Sequence, residues 1–294
     1  MSHIPVLIKE VIDYLNPQSN ENFIDATVGQ GGHTMEILKR NGPSGKILGI
    51  DWDERQVGNA KENLKEFDGR VILVKDSYAN IKEIIEKEEL GLVSGILLDL
   101  GMSSWQLENS GKGFSFMRDE ILDMRYDLEN DLTAEIIINE WSEEKIEKIL
   151  REYGEEKFSY KIAKKITEVR KNKKIKTTFE LRDIIESAIP WKFKRGNIHY
   201  ATRTFQGLRI TVNRELDNLT DFLPKALEVL EVGGRLVVIS FHSLEDRIVK
   251  FFFKNKSEEK LIKILTKKPI LADRAEVLQN PRSRSAKLRA IIKN

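Results

Sequence analysis

The residues whose types and spacing point to a chemistry are the cluster Gly29-Gln30-Gly31-Gly32-His33 and the side chains Asp51, Tyr78 and Asp99. A glycine cluster lets the backbone pass close beneath a ligand, because a Cβ there would collide with it. Asp51 lies about twenty residues past the cluster, where a carboxylate can accept hydrogen bonds from the two ribose hydroxyls of an adenosine. The combination predicts a site for an adenosine-type cofactor. A dinucleotide fingerprint needs a third glycine where this chain has Thr34, and His33 adds bulk where a pyrophosphate would press against the helix. S-adenosylmethionine has no phosphate, so the loop suits that methyl donor better. On the glycines alone, a tight strand-to-helix turn of any α/β protein is an equal reading; the placement of Asp51 favours the cofactor.

The elements that must position these residues follow a βα rhythm. Phe23 to Val28 and Lys46 to Ile50 are short apolar runs separated by the glycine loop and a helical pattern from Thr34 to Lys39, which makes a first βαβ unit. Val6 to Leu15 has the spacing of an amphipathic helix that packs beside the first strand. A helix over Asp53 to Phe67 leads to a third strand, Val71 to Val74, with Asp76-Ser77-Tyr78 at its end. Gly95 to Leu98 is a buried fourth strand running into Asp99. In an open α/β sheet ligands sit beyond the carboxyl ends of the strands, so Asp51, Tyr78 and Asp99 are expected to converge on one crevice. Tyr78 is placed to flank an adenine.

Past Gln106 the rhythm stops. Thr133, Ser142 and the capping box Thr177-Thr178-Phe179-Glu180 start helices, a further helix runs from Ser159 to Arg170, and Pro190 ends the series. This reads as a helical insertion shaping substrate access. The α/β pattern returns with a long helix carrying Phe205, Leu208, Val212 and Leu216, a further helix from Leu219 to Leu230, a fifth strand Arg235 to Phe241, and a closing hairpin, Lys260 to Leu265 and Ala286 to Ile292. The expected architecture is α/β and Rossmann-like, with about seven mostly parallel strands. Its expected division is residues 1–105 and 201–294 as the α/β cofactor domain and 106–200 as the inserted helical domain.

Composition narrows the chemistry. The chain has 294 residues, 33% of them charged, and no cysteine, which excludes disulfides and every thiol-nucleophile mechanism. Its net charge is only +2, yet Lys157 to Lys176 holds nine basic residues and one acidic. From Lys250 onward basic residues outnumber acidic about three to one. Such segregation can build a positive face for a phosphate backbone; solvated helix faces are the competing reading. With no signal-like N-terminus and no apolar run long enough to span a bilayer, a cytoplasmic location is expected and no membrane partner.

Several segments, in order along essentially the whole chain, resemble the bacterial small-subunit ribosomal RNA methyltransferase H family. They are His3-Ile4-Pro5-Val6-Leu7, Gly29-Gln30-Gly31-Gly32-His33-Thr34, Leu97-Leu98-Asp99-Leu100-Gly101-Met102-Ser103-Ser104, Gly113-Phe114-Ser115-Phe116-Met117-Arg118, Ala201-Thr202-Arg203-Thr204-Phe205-Gln206, Ser240-Phe241-His242-Ser243-Leu244-Glu245-Asp246-Arg247 and Asn280-Pro281-Arg282-Ser283-Arg284-Ser285. The resemblance implies a Rossmann-like class I methyltransferase fold, with residues 1–105 and 201–294 as the methyltransferase domain, and methyl transfer from S-adenosylmethionine to the exocyclic N4 of a decoding-site cytosine, position 1402, in 16S ribosomal RNA. It also implies that Gly31, Gly32, His33, Asp51, Tyr78, Asp99 and Gln106 contact the cofactor. The RNA, in the small ribosomal subunit, is the expected partner.

The absence of cysteine agrees with N4 chemistry. Methylation of cytosine C5 normally proceeds through a cysteine adduct, whereas an amino nitrogen needs only alignment with the methyl group and a proton acceptor. Asp99 is the candidate to hydrogen-bond that amino group. Many amino-methyltransferases follow the equivalent residue with Pro-Pro and an aromatic; here Leu100-Gly101-Met102 follows, so Asp99 serving the cofactor alone stays open. His199, Arg203, Arg209, Arg282 and Arg284 are the candidates to bind RNA phosphate, together with the third arginine of that helix, Arg214. Two other classes compete: a nicotinamide-dependent dehydrogenase, which lacks its phosphate-cradling glycine, and a non-catalytic RNA-binding relic, which need not bind the methyl donor.

Overall fold

The computed structural model describes residues 5–102, 104–194 and 198–294. They form two compact units, one from the described residues within 5–101 and 216–294, the other from those within 102–215.

The first unit is built on a sheet of seven strands: β1 (Phe23–Asp25), β2 (Ile47–Asp51), β3 (Val71–Lys75), β4 (Val93–Asp99), β5 (Leu230–Ser240), β6 (Ile262–Ile264) and β7 (Lys287–Lys293). Their order is β3-β2-β1-β4-β5-β7-β6, with β7 antiparallel to both neighbours and the other pairs parallel. The strands read as continuous apolar runs because both faces are covered. Ile24, Leu48, Ile50, Ile96, Leu98, Leu236 and Val238 pack on one side with Phe222, Leu223 and Phe253. Phe23, Ile47, Leu97, Val237 and Ile239 pack on the other with Val11, Leu15, Ile37 and Leu38. Every second residue of a strand thus feeds the same layer, as the pleat requires.

The order of connection reverses at β1, which pairs with β2 on one side and β4 on the other. That reversal is the topological switch point of an open α/β sheet, where the loops part and leave a crevice. Asp51 ends β2 and Asp99 ends β4.

The second unit is helical. Thr133, Ser142 and Thr177 cap helices Ala134–Glu140, Glu143–Glu152 and Thr178–Ala188 through their side-chain oxygens, and Glu180 completes the Thr177 capping box. With helices Ser159–Arg170 and Thr202–Asn213 they enclose Ile137, Ile146, Leu150, Ile162, Ile166, Leu181, Ile185 and Leu208.

Two expectations need correction. The insertion extends beyond 106–200 to 102–215, because Phe205, Leu208 and Val212 bury their side chains in the helical unit's core and Met102 packs against it. The single long helix expected to carry Phe205 through Leu216 is two helices. The first ends at Asn213, Arg214 turns with φ 50° in the left-handed region, and Glu215–Val229 follows. The expected hairpin of the last two strands is present as β6 and β7.

Candidate functional site

At the switch point the chain after β1 turns through Gly29 and Gly31 and enters the helix Gly32–Leu38. Gly31 has φ +82°, and a Cβ there would stand 2.9 Å from the Leu64 side chain; a Cβ on Gly32 would stand 2.4 Å from Pro5 Cγ. Both glycines are therefore demanded by protein neighbours as well as by any ligand above them. The Gly29 N–H donates to Asp51 Oδ2 at 3.0 Å and the Asp53 N–H donates to Asp51 Oδ1 at 2.9 Å. Each Asp51 oxygen keeps a further acceptor position, enough for two hydroxyl donors. Desolvation pushes the Asp51 carboxyl up to about 7 against the two backbone donors that favour its charge, and Asp53 and Asp25 nearby raise it further.

Trp52 and Tyr78 stand beside Asp51 with ring centroids 6.3 Å apart, and Tyr78 packs edge-on against Phe222 at 5.2 Å. This makes an aromatic wall next to the carboxylate.

A chain of hydrogen bonds beneath the loop holds the two strand ends in register. Asp25, 1% exposed, accepts the Thr34 hydroxyl on Oδ2 at 2.6 Å and the Thr27 N–H on Oδ1 at 3.2 Å. Thr27 Oγ1 in turn accepts the Asp99 N–H at 2.7 Å. Thus Asp25 braces the start of the helix and β1, and Thr27 fastens β1 to the end of β4. Sequence reasoning passed over Asp25, Thr27, Thr34 and Trp52; the available signal was a carboxylate inside an otherwise apolar strand, which burial tolerates only with partners.

His33 is buried between the N-terminal segment and Asp99. A carbonyl can only accept, so His33 Nε2 donates to Val6 O at 2.9 Å, which leaves Nδ1 facing Asp99 Oδ2 at 3.8 Å. Burial pushes the Asp99 carboxyl up to about 6, against the opposing pull of His33 and of the Gly101 N–H that reaches Oδ1 at 3.2 Å. At neutral pH Asp99 is mainly ionised and presents an acceptor at the end of β4.

The family model for the MraW methylase family matches residues 1–294. The chain belongs to that family. It is 49% identical to the ribosomal RNA small subunit methyltransferase H of Thermotoga neapolitana, over 98% of this chain and 95% of the relative. Its identity to the protein of that name from Clostridium botulinum is 46%, over 98% and 97%. A solved structure of a candidate rRNA-methylase from Clostridium thermocellum superposes with a TM-score of 0.50 at 14% identity, covering 100% of both chains, which shows the shared fold. The sequence-based resemblance to the methyltransferase H family is thereby borne out.

S-adenosylmethionine is the methyl donor of the MraW methylase reaction, and the strand-end groups fit it. Asp51 has acceptor positions for a ribose diol, the Trp52 and Tyr78 rings flank that position, and Asp99 and His33 offer a polar pair on the far side of the glycine loop. The first unit holds Gly31, Gly32, His33, Asp51, Tyr78 and Asp99, the side chains expected to meet the cofactor; Gln106, the remaining one, is buried on helix Ser104–Asn109 of the second unit. His3, Ile4 and Ser103 of the resembling segments lie outside the described residues.

The expected RNA-binding residues are divided between the units. Arg282 and Arg284 lie on a short 3₁₀ turn, Pro281–Ser285, of the first unit, with Arg284 exposed. Arg209 makes a two-pronged pair with Glu215 at 2.8 and 2.9 Å, and Arg203 donates to the Glu155 carbonyl at 3.0 Å, both within the second unit. His199 stacks on Phe116 with centroids 4.5 Å apart and lies 4.1 Å from the Tyr200 ring. Burial and the nearby Arg182 charge lower its pKa, so at neutral pH it is an uncharged ring. No helix among the described residues is long and apolar enough to cross a membrane.

Proposed function

We propose that this protein transfers the methyl group of S-adenosylmethionine to the exocyclic N4 of cytosine 1402 in 16S ribosomal RNA of the small ribosomal subunit. The observation that carries the reading is the pair of carboxylates at the switch point, Asp51 for the ribose and Asp99 for the reacting end, in a chain that belongs to a methylase family and whose relatives are named for small-subunit ribosomal RNA.

Bound S-adenosylmethionine supplies a sulfonium methyl, an electrophile that needs no enzyme nucleophile. Asp51 and the glycine loop would hold the donor, which would supply its methyl group to the N4 amino nitrogen, and one N4 proton must then be taken up. Asp99, ionised at neutral pH, holds the amino group through an N–H donor and accepts that proton. His33 stands beside Asp99 at 3.8 Å, and the Asp25–Thr27 brace sets the distance between the ends of β1 and β4. Gln106 is assigned to the cofactor, and His199, Arg203, Arg209, Arg282 and Arg284 to the RNA.

The test is incubation with methyl-labelled S-adenosylmethionine and small subunits from a strain lacking the modification, followed by nucleoside analysis. Label in N4-methylcytidine is expected, and nuclease mapping of the labelled RNA should place it at position 1402. Label in another nucleoside would overturn the substrate assignment while leaving fold and cofactor in place.

A further inference from the structure

The lysine-rich stretch from Lys157 to Lys176 is not absorbed by the cofactor chemistry. In the structure part of its exposed surface is a stripe: Tyr160 and Lys161 lie one turn before Lys164 at the start of helix Ser159–Arg170, Lys157 stands in the turn just before it, and all four residues are exposed. Tyr160 is 60% exposed among these lysines. None of the three lysines has an ion pair among the described residues, whereas Lys165, off the stripe, reaches Glu168 at 3.7 Å.

A second exposed aromatic group adjoins it. The turn Trp191–Phe193 follows Pro190, and residues Trp191 and Phe193 are 65% and 48% exposed. Phe193 packs on Phe158 with centroids 5.0 Å apart, which fixes the turn against the first turn of the lysine-bearing helix. Lys192 lies over the Phe193 ring, its Nζ 5.2 Å from the centroid. Three large aromatic residues that are about half exposed or more thus stand near lysines that have no ion pair among the described residues, a combination of open ring surface and positive charge.

We infer that this face of the helical unit is a docking surface for single-stranded RNA, with Tyr160, Trp191 and Phe193 stacking bases and Lys157, Lys161, Lys164 and Lys192 meeting phosphates. Base stacking on open aromatic rings combined with a positive track is the physical pattern of single-strand binding, and it tolerates sequence because every base has a π-face. An acidic or apolar protein partner would leave one half of this surface unmatched. The inference rests on the RNA-methyltransferase reading and adds a surface of the helical unit that holds the RNA.

The experiment uses the full chain and a fluorescein-labelled unstructured RNA of about ten nucleotides, within the range one such surface spans, with binding followed by anisotropy across a salt series. The variants are the double Tyr160→Ala, Trp191→Ala and the triple Lys157→Gln, Lys161→Gln, Lys164→Gln. All five positions are exposed, and unchanged thermal unfolding together with unchanged S-adenosylmethionine binding verifies the fold. The aromatic double is expected to weaken RNA binding at least about fivefold per ring. The lysine triple is expected to reduce the slope of log K against log salt by about 2, at roughly 0.7 per single-strand contact. Wild-type affinity in the aromatic double overturns the stacking surface, even if the lysines matter. Retained RNA binding with lost binding to RNA-free subunit proteins overturns it in favour of a protein interface. If the wild-type chain methylates ribosomal RNA and the variants bind RNA as it does, only this inference falls; if the wild type methylates no RNA, the reading beneath it falls.

Discussion

Protonation of Asp51 should govern cofactor affinity near neutral pH. Its carboxyl is pushed up to about 7 because burial removes water, while its two backbone donors, Gly29 and Asp53, only partly offset that cost. Two ribose hydroxyls donating one to each oxygen match the ionised form, because protonation turns one oxygen into a donor, so ligand binding favours loss of the proton. The sign follows: affinity is complete above the ligand-free pKa and is lost as pH falls through it. Between about pH 8 and about pH 6 the protonated fraction rises from about one-tenth to about nine-tenths, and the apparent Kd rises about tenfold, or about 1.4 kcal/mol. The ligand for the assay is 5′-methylthioadenosine, which carries the ribose diol and no titrating amino group. Calorimetry in two buffers of different ionisation enthalpy then counts the proton, and close to one per ligand should be released at about pH 6. A Kd that stays flat over this range, or tightens toward low pH, would refute the assignment of Asp51 to the diol.

The same raised pKa makes Asp51 lower the stability of the ligand-free protein as pH rises from its ordinary 3.8 toward about 7, an effect that saturating ligand should cancel in urea unfolding at matched pH. Thr34→Val removes the hydroxyl that Asp25 accepts at 2.6 Å in a fully buried setting and should lower unfolding free energy by about 1.5–3 kcal/mol, read as a shift of the urea midpoint without a change of slope. Gly32→Ala places a methyl 2.4 Å from Pro5 Cγ and should cost about 1–3 kcal/mol in thermal unfolding while weakening cofactor binding. Leu208→Ala, fully buried in the helical unit, should cost about 2–5 kcal/mol by the same measurement. Asp99→Asn should slow single-turnover methyl transfer about 100-fold or more, and a wild-type rate would remove Asp99 from proton transfer.

Much of the cofactor half of this protein was legible because its signals are local. The strands from Phe23 to Asp99 are short apolar runs bounded by turns, and the strand-end rule brings Asp51, Tyr78 and Asp99 to one side of the sheet without knowledge of any contact. Asp25 escaped notice for the opposite reason. Its role depends on Thr34 and Thr27 meeting it after the loop has folded back, and a single carboxylate in a strand carries no such information. The helical unit's limits were misplaced because periodicity continued through Asn213 into the next helix. The left-handed Arg214 that separates them has no glycine or proline to announce it. The arginines show the same limit: their type suggests phosphate, yet Arg209 meets Glu215 and Arg203 meets the Glu155 carbonyl.

By itself, then, the order of residues determined the α/β class, the crevice at β1, the cysteine-free chemistry and the candidate carboxylates, since each follows from hydrophobic period, turn residues and residue type. Tertiary structure alone decided which groups brace that crevice and how far Asp51 and Asp99 are shifted from ordinary carboxylates. It also decided which lysines and aromatic rings remain open to solvent. The physical reason is that desolvation, hydrogen-bond partnership and exposure are properties of neighbours in space, and the neighbours that matter here, Thr34 for Asp25, His33 for Asp99 and Phe158 for Phe193, are set by packing rather than by spacing along the chain.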